Sequence, residues 1–175
     1  MQEGFSTDGY IIDQNRFAAY PYREMTSDIN GCGWIAAYNL CRALGRDITF
    51  DDVRREMDGM FRLRIPGPTP MGKLRRYLRR YIQFRFYGGK RAALRAAASS
   101  DAGILRYWEG REPHFITFIR QADGSYRFMN VSDGQEDITA PMEEFFRGHC
   151  RMGYIRVIVG DRHTGTDAEE GRDAI

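Results

Sequence analysis

Residues 32–45, CGWIAAYNLCRALG, place apolar side chains on nearly every face of a helix and carry one charge, Arg42. A helix without a polar face has to be covered on all sides, so this segment demands other elements packed around it. Asn30 and Gly31 precede it, and Gly45 stands where a left-handed residue commonly ends a helix. With 175 residues, 42% of them hydrophobic, the chain can supply that cover within one domain, without help from a metal or a disulfide.

The rest of the pattern says what the cover is made of. Thr49 before FDDVRREM reads as a capped short helix with its acids in the first turn. After the punctuation of PGPTP, Thr69 is expected as the N-cap and Pro70 as the first residue of a helix through MGKLRRYLRRYI. Its Met71, Leu74, Leu78 and Tyr81 make the apolar stripe. The period then changes. QFRFY (83–87) alternates, KRAALRAAASS is a helix of Ala and Arg, and GILRYW (103–108), HFITFIR (114–120), SYRFMNV (125–131) and YIRVIV (154–159) read as strands. A short helix is expected near PMEEFFRG (141–148). This order predicts an α+β domain in which the buried N-terminal helix packs on an antiparallel sheet. The expected divisions are an N-terminal arm over 1–15, one domain over 16–159 and a disordered acidic tail over 160–175.

Charge is unevenly spread. The chain has 26 basic and 24 acidic residues, yet residues 60–100 hold eleven basic side chains and no acid. That segment is +11, and the remainder is 15 − 24 = −9. Tyr77, Tyr81, Phe84, Phe86 and Tyr87 are interleaved with its arginines, so a nucleic-acid-binding module is one function class this segment could serve. The same aromatics fit an apolar core, and the same charge would suit an acidic peptide or protein partner. Nothing reads as a signal peptide or as eighteen consecutive apolar residues, so a soluble, cytoplasmic protein with no membrane partner is expected. The pattern says nothing of oligomeric state.

Three cysteines, Cys32, Cys41 and Cys150, form no metal-binding spacing, so neither a metal nor a cofactor is expected. Cys32 stands apart because it opens the apolar helix between two glycines. A helix N-terminus offers free N–H groups and partial positive charge, which favour a thiolate. Gly31 and Gly33, with Trp34 beyond, are expected to shape the substrate's approach to the sulfur. A nucleophilic cysteine needs a base. Of the three histidines, His163 lies in the tail and His149 beside Cys150, whereas His114 opens a strand. An orienting group would come from the next strand. A hairpin loop of three or five residues around Asp123 and Gly124 favours Asn130, and a strict two-residue turn favours Asp133.

The succession NGCGWIAAYN, ILRYW, PHFITF and YRFMNVSDG over residues 20–159 resembles the papain-like cysteine peptidases, and among them the compact bacterial domains similar to the C39 bacteriocin-processing peptidases. The resemblance implies a papain-like fold with Cys32 as nucleophile, His114 as general base and acid, and Asn130 as orienter. That family normally carries a glutamine a few residues before the cysteine to donate to the oxyanion. EMTSDIN has none, which leaves Asn30, Ser27 or Thr26 to substitute beside the Cys32 N–H, and Trp34 stands where relatives often have proline. The implied activity is hydrolysis of a peptide or related amide through a thioester. An acyltransferase or an inactive protein-binding scaffold are the other outcomes the same residues allow.

Overall fold

The computed structural model describes residues 2–61, 67–110, 112–131, 136–151 and 155–161. Its helices are α1 (Ser27–Asn30), α2 (Cys32–Ala43), α3 (Phe50–Gly59), α4 (Met71–Leu78), α5 (Lys90–Ala98) and α6 (Met142–Gly148), with a 3-10 turn at Gln14–Phe17. A small hairpin pairs β1 (Pro21–Tyr22) with β2 (Met25–Thr26). The main sheet contains β3 (Arg85–Gly88), β4 (Ala102–Glu109), β5 (Glu112–Arg120), β6 (Tyr126–Met129), β7 (Asp137–Ala140) and β8 (Arg156–Gly160). All pairings in it are antiparallel, in the order β3-β8-β4-β5-β6-β7. The α+β class expected from the sequence is what the chain adopts.

Alternate strand positions divide the core in two. Ile104, Phe115, Ile119 and Ile158 join α2, α3 and α4 in one apolar cluster, and Leu105, Ile116, Phe118, Val157 and Val159 join α5 and α6 in the other. A strand repeats every two residues, so a sheet covered on both faces reads as a nearly continuous apolar run, as HFITFIR does. Helix α2 lies across β5 and is buried along its length except at Arg42. It ends as its sequence suggests: Gly45 takes φ +74°, and the Arg46 and Gly45 N–H groups return to the carbonyls of Cys41 and Arg42.

Several local expectations need correction. Thr69 does not cap α4; Pro70 holds that position, and the Thr69 hydroxyl meets the Tyr22 hydroxyl at 3.1 Å in the core. Register puts Arg120 opposite Tyr126, so residues 121–125 form a five-residue loop and the two-residue turn is excluded. Strand β7 was not anticipated. It is four residues with an alternately exposed edge, too little apolar signal to stand out. The expected tail begins late, because Gly160 closes β8 and Asp161 meets Arg85 at 2.7 Å; the remainder lies outside the described residues.

The N-terminal segment is firmly built in. Asn39, fully buried on α2, accepts from the Ile11 N–H at 2.9 Å and donates to the Ile11 carbonyl at 2.7 Å, serving this segment as a one-residue strand partner. Tyr38 adds a bond to the Gly9 carbonyl, and Arg42 and Arg127 hold Asp8. These contacts fix the 3-10 turn that follows, and with it Gln14.

Candidate active site

The site starts from a break in a helix. α1 and α2 are separated only by Gly31, whose N–H bonds the Ser27 carbonyl; α2 begins afresh at Cys32, and its first N–H groups lie outside the ladder. The Asp28 carbonyl, which a continuous helix would direct to the Cys32 N–H, accepts from Gln14 Nε2 at 2.7 Å. Cys32 is 5% exposed and so almost wholly covered.

His114, near the start of β5, lines the same cleft as Cys32, and the thiol is the strongest influence favouring its charged form. Its Nε2 lies 2.6 Å from the Asn130 backbone carbonyl. A carbonyl only accepts, so Nε2 carries the proton there and Nδ1 is left for the sulfur. Burial by itself would lower the imidazole's pKa. The influence of the Cys32 side chain, the Asn130 carbonyl and the nearby Glu109 outweigh it and lift the value to about 9. Tyr107 stands edge-on behind the ring at 6.2 Å.

Asn130 is therefore adjacent to His114 as expected, but through a different group. It leaves β6 with φ +62°, a left-handed conformation that asparagine tolerates better than most residues. That turn of the chain aims its carbonyl at the ring and its side chain away. The side-chain oxygen accepts from the Gln14 N–H at 3.0 Å, and Nδ2 donates to Gln14 Oε1 at 3.1 Å. Gln14 thus bonds both the orienter of the histidine and the turn before the cysteine. It was missed in the sequence because it lies 18 residues before Cys32, in a stretch without periodicity. Asp133, the alternative orienter, lies outside the described residues.

Cys32 and His114 open into a cleft of about 200 Å³. Met25, Ile29, Pro68 and Pro113 give it apolar walls, and Ile29 is 54% exposed at its edge. Asn30 also lines it. That residue is 5% exposed, and its Nδ2 is buried with no hydrogen-bond partner among the described residues. A buried amide donor without an acceptor is costly, and its position two residues before the thiol suits an oxygen brought in by a ligand. The other oxyanion candidates lie elsewhere. Ser27 is fully buried and accepts from the Trp34 indole at 3.2 Å, while Thr26 occupies the N-cap of α1 and does not line the cleft.

The expected approach residues are also corrected. Trp34 is 0% exposed and packs on Phe17 at 5.7 Å, so it belongs to the core. Gly33 is small because a Cβ there would lie 2.4 Å from the Thr69 side chain, and Gly31 because one would lie 2.2 Å from the Ser27 carbonyl. Both glycines serve close packing of the chain upon itself rather than access to sulfur.

The remaining thiols have a different setting. Burial raises the pKa of both Cys41 and Cys150 to about 12, with only weak opposition from Arg46 and Lys90 respectively. His149 stacks on Phe145 at 4.4 Å. A larger depression of about 520 Å³ lies at the far end of α2 around Arg42 and Arg46, away from Cys32. Among the described residues no group of three or more His, Cys, Asp or Glu could hold a metal ion, and no helix is long and apolar enough to cross a membrane.

The basic segment has internal uses. Arg80 pairs with Glu56 at 3.1 Å, Arg75 lies over the Phe86 ring at 4.3 Å, and Lys90 donates to the Cys150 carbonyl. Arg62 and Arg64 lie outside the described residues. No family model matches the chain, and no curated protein matches it.

Proposed function

We propose that the protein is a papain-like cysteine peptidase or a related thiol-dependent amide hydrolase, acting through Cys32 and His114 with the Asn130 carbonyl as orienter. The observation that carries this is the meeting of His114, its ring held on the Asn130 carbonyl, with a cysteine at the start of a buried helix inside one cleft. In the attacking step the Cys32 sulfur forms a bond to the amide carbonyl carbon while His114 holds the thiol's proton on Nδ1. Collapse of the tetrahedral adduct breaks the C–N bond, and His114 returns that proton to the leaving amine. Water then attacks the thioester, giving the carboxylic acid and restoring the thiol. An amine in place of water would make the same site an acyltransferase.

The Cys32 N–H and Asn30 Nδ2 are the donors available to the carbonyl oxygen as it gains charge. Gln14 contributes by position, since its amide is committed to Asp28 and Asn130. The polar contacts of the basic segment favour a structural use for it over nucleic-acid binding.

Alkylation by iodoacetamide tests the proposal. Cys32 is expected to react much faster than Cys41 or Cys150 in the folded protein, and His114→Ala is expected to slow it by about a hundredfold or more. Equal rates at all three cysteines would overturn the proposal.

A further inference from the structure

The rim of the cleft carries a charge arrangement that thiol chemistry alone does not need. Glu109 and Glu112 both line the cleft that holds Cys32 and His114. They are also partners in register across the β4–β5 hairpin, directly opposite one another. Paired positions bring Cβ atoms to about 5 Å, and like charges placed so repel. Neither carboxylate has an ion-pair partner among the described residues, although other acids of the chain, such as Asp8, Asp51 and Asp137, are paired with arginines.

The charge sum is simple. Cys32 and His114 together are neutral, whether as thiol and imidazole or as thiolate and imidazolium. Of the described side chains lining the cleft, Glu109 and Glu112 are the remaining charged ones, −1 each, so the described part of the rim carries −2. Beside it lies the buried, unpartnered Nδ2 of Asn30. Among the described residues, an oxygen acceptor is missing at one point of the cleft and a cation at another.

Resting on Cys32 as the nucleophile, we propose that the preferred substrate is an amide whose acyl portion bears a positive charge close to the scissile carbonyl. Asn30 Nδ2 donates to the carbonyl oxygen, Ile29 and Pro113 cover the apolar stem, and Glu109 and Glu112 take the cation. The cation comes from a lysine-like side chain or from a free α-amine, two sources of one chemistry. An acidic peptide, which the basic segment suggested, is repelled at this rim.

Matched chloromethyl ketones test this, since the thiolate displaces chloride as the C–S bond forms, and the ketone oxygen takes the place of the amide carbonyl. The probes are Nα-acetyl-lysine, Nα-acetyl-norleucine, unblocked norleucine and Nα-acetyl-glutamate chloromethyl ketones, with iodoacetamide as the small uncharged control. The lysine probe, the unblocked norleucine probe, or both, are expected to label Cys32 about fivefold or more faster than acetyl-norleucine at low salt, and acetyl-glutamate slowest. Which of the first two leads identifies the source of the cation. The advantage is expected to shrink as added salt shortens the screening length. Glu109→Gln and Glu112→Gln are each expected to move the ratio of cationic to neutral rates toward one. Using that ratio cancels any change Glu109 makes to His114, and the salt series on the unaltered protein needs no variant.

Equal rates for cationic and neutral ketones, with Cys32 still labelled by iodoacetamide in a His114-dependent way, would overturn the cation site and leave the thiol chemistry standing. A preference for the glutamate probe would do the same. Failure of iodoacetamide to single out Cys32 would overturn the proposed nucleophile itself.

Discussion

Both faces of the main sheet are covered, and they are built in opposite ways. Against α5 and α6 the packing is mostly apolar and aromatic, with Phe128 and Phe145 stacked at 3.8 Å and His149 continuing the stack. Against α2 the core includes polar groups, each held by a specific bond: Asn39 to Ile11, Ser27 to Trp34, Thr69 to Tyr22 and Thr117 to the Ala36 carbonyl. Apolar contact is non-directional and supplies free energy, whereas a buried hydrogen bond also fixes where its partners stand. The face that carries Cys32 is the one whose parts have to be held in register.

The largest effect expected from separating the two faces is on the apolar side. Phe145→Ala removes a fully packed ring and is expected to lower stability by about 3–5 kcal/mol in urea unfolding, while the folded fraction keeps its preference for alkylation at Cys32. Loss of that preference would mean that the faces are not independent.

Asn30→Ala is the converse experiment. It removes a donor that no protein group uses, so the urea midpoint is expected to hold. Amide turnover is expected to fall about a hundredfold to a thousandfold, as for loss of one oxyanion donor. A stability loss with unchanged turnover would return Asn30 to the core.

Gln14→Ala lies between, because it touches both position and proton. It is expected to cost about 1–3 kcal/mol through the buried partners it abandons, Asp28 and Asn130. It should also move the pH profile. The leaving amine needs protonated His114, so turnover is expected to be lost as pH rises through about 9. If Gln14 holds the Asn130 carbonyl on the ring, its removal weakens an interaction that favours the charged imidazole, and this alkaline limb is expected to shift downward. Gln14→Glu keeps an acceptor for Asn130 Nδ2 and is expected to restore part of the shift, whereas a limb unmoved in both variants would leave Gln14 a purely structural residue.

Much of this was legible in the sequence because it is local. The apolar run 32–45, the Thr49 cap and the two-sided run HFITFIR encode their environment in adjacent residues, and the residue types at 32, 114 and 130 stood out against a chain with three cysteines and three histidines. What was not legible depends on long-range closure. Gln14 meets Asn130 across 116 residues, and nothing in either stretch announces the other. Thr69 looked like a cap because the residue before a proline-led helix often is one, but the tertiary contact with Tyr22 claimed its hydroxyl. Gly31, Gly33 and Trp34 looked like the surroundings of a reactive thiol and turned out to be packing against Ser27, Thr69 and Phe17.

The group that steadies His114 belongs to the main chain, and every amino acid has a carbonyl there. What position 130 requires is a backbone able to sit at φ +62°, which glycine does more readily than asparagine. The hold on the imidazole and residue identity are thereby uncoupled at this point. A chain with glycine here could keep the oriented imidazole while losing the Gln14 clamp, and a comparison of side chains alone would miss the group that holds the ring.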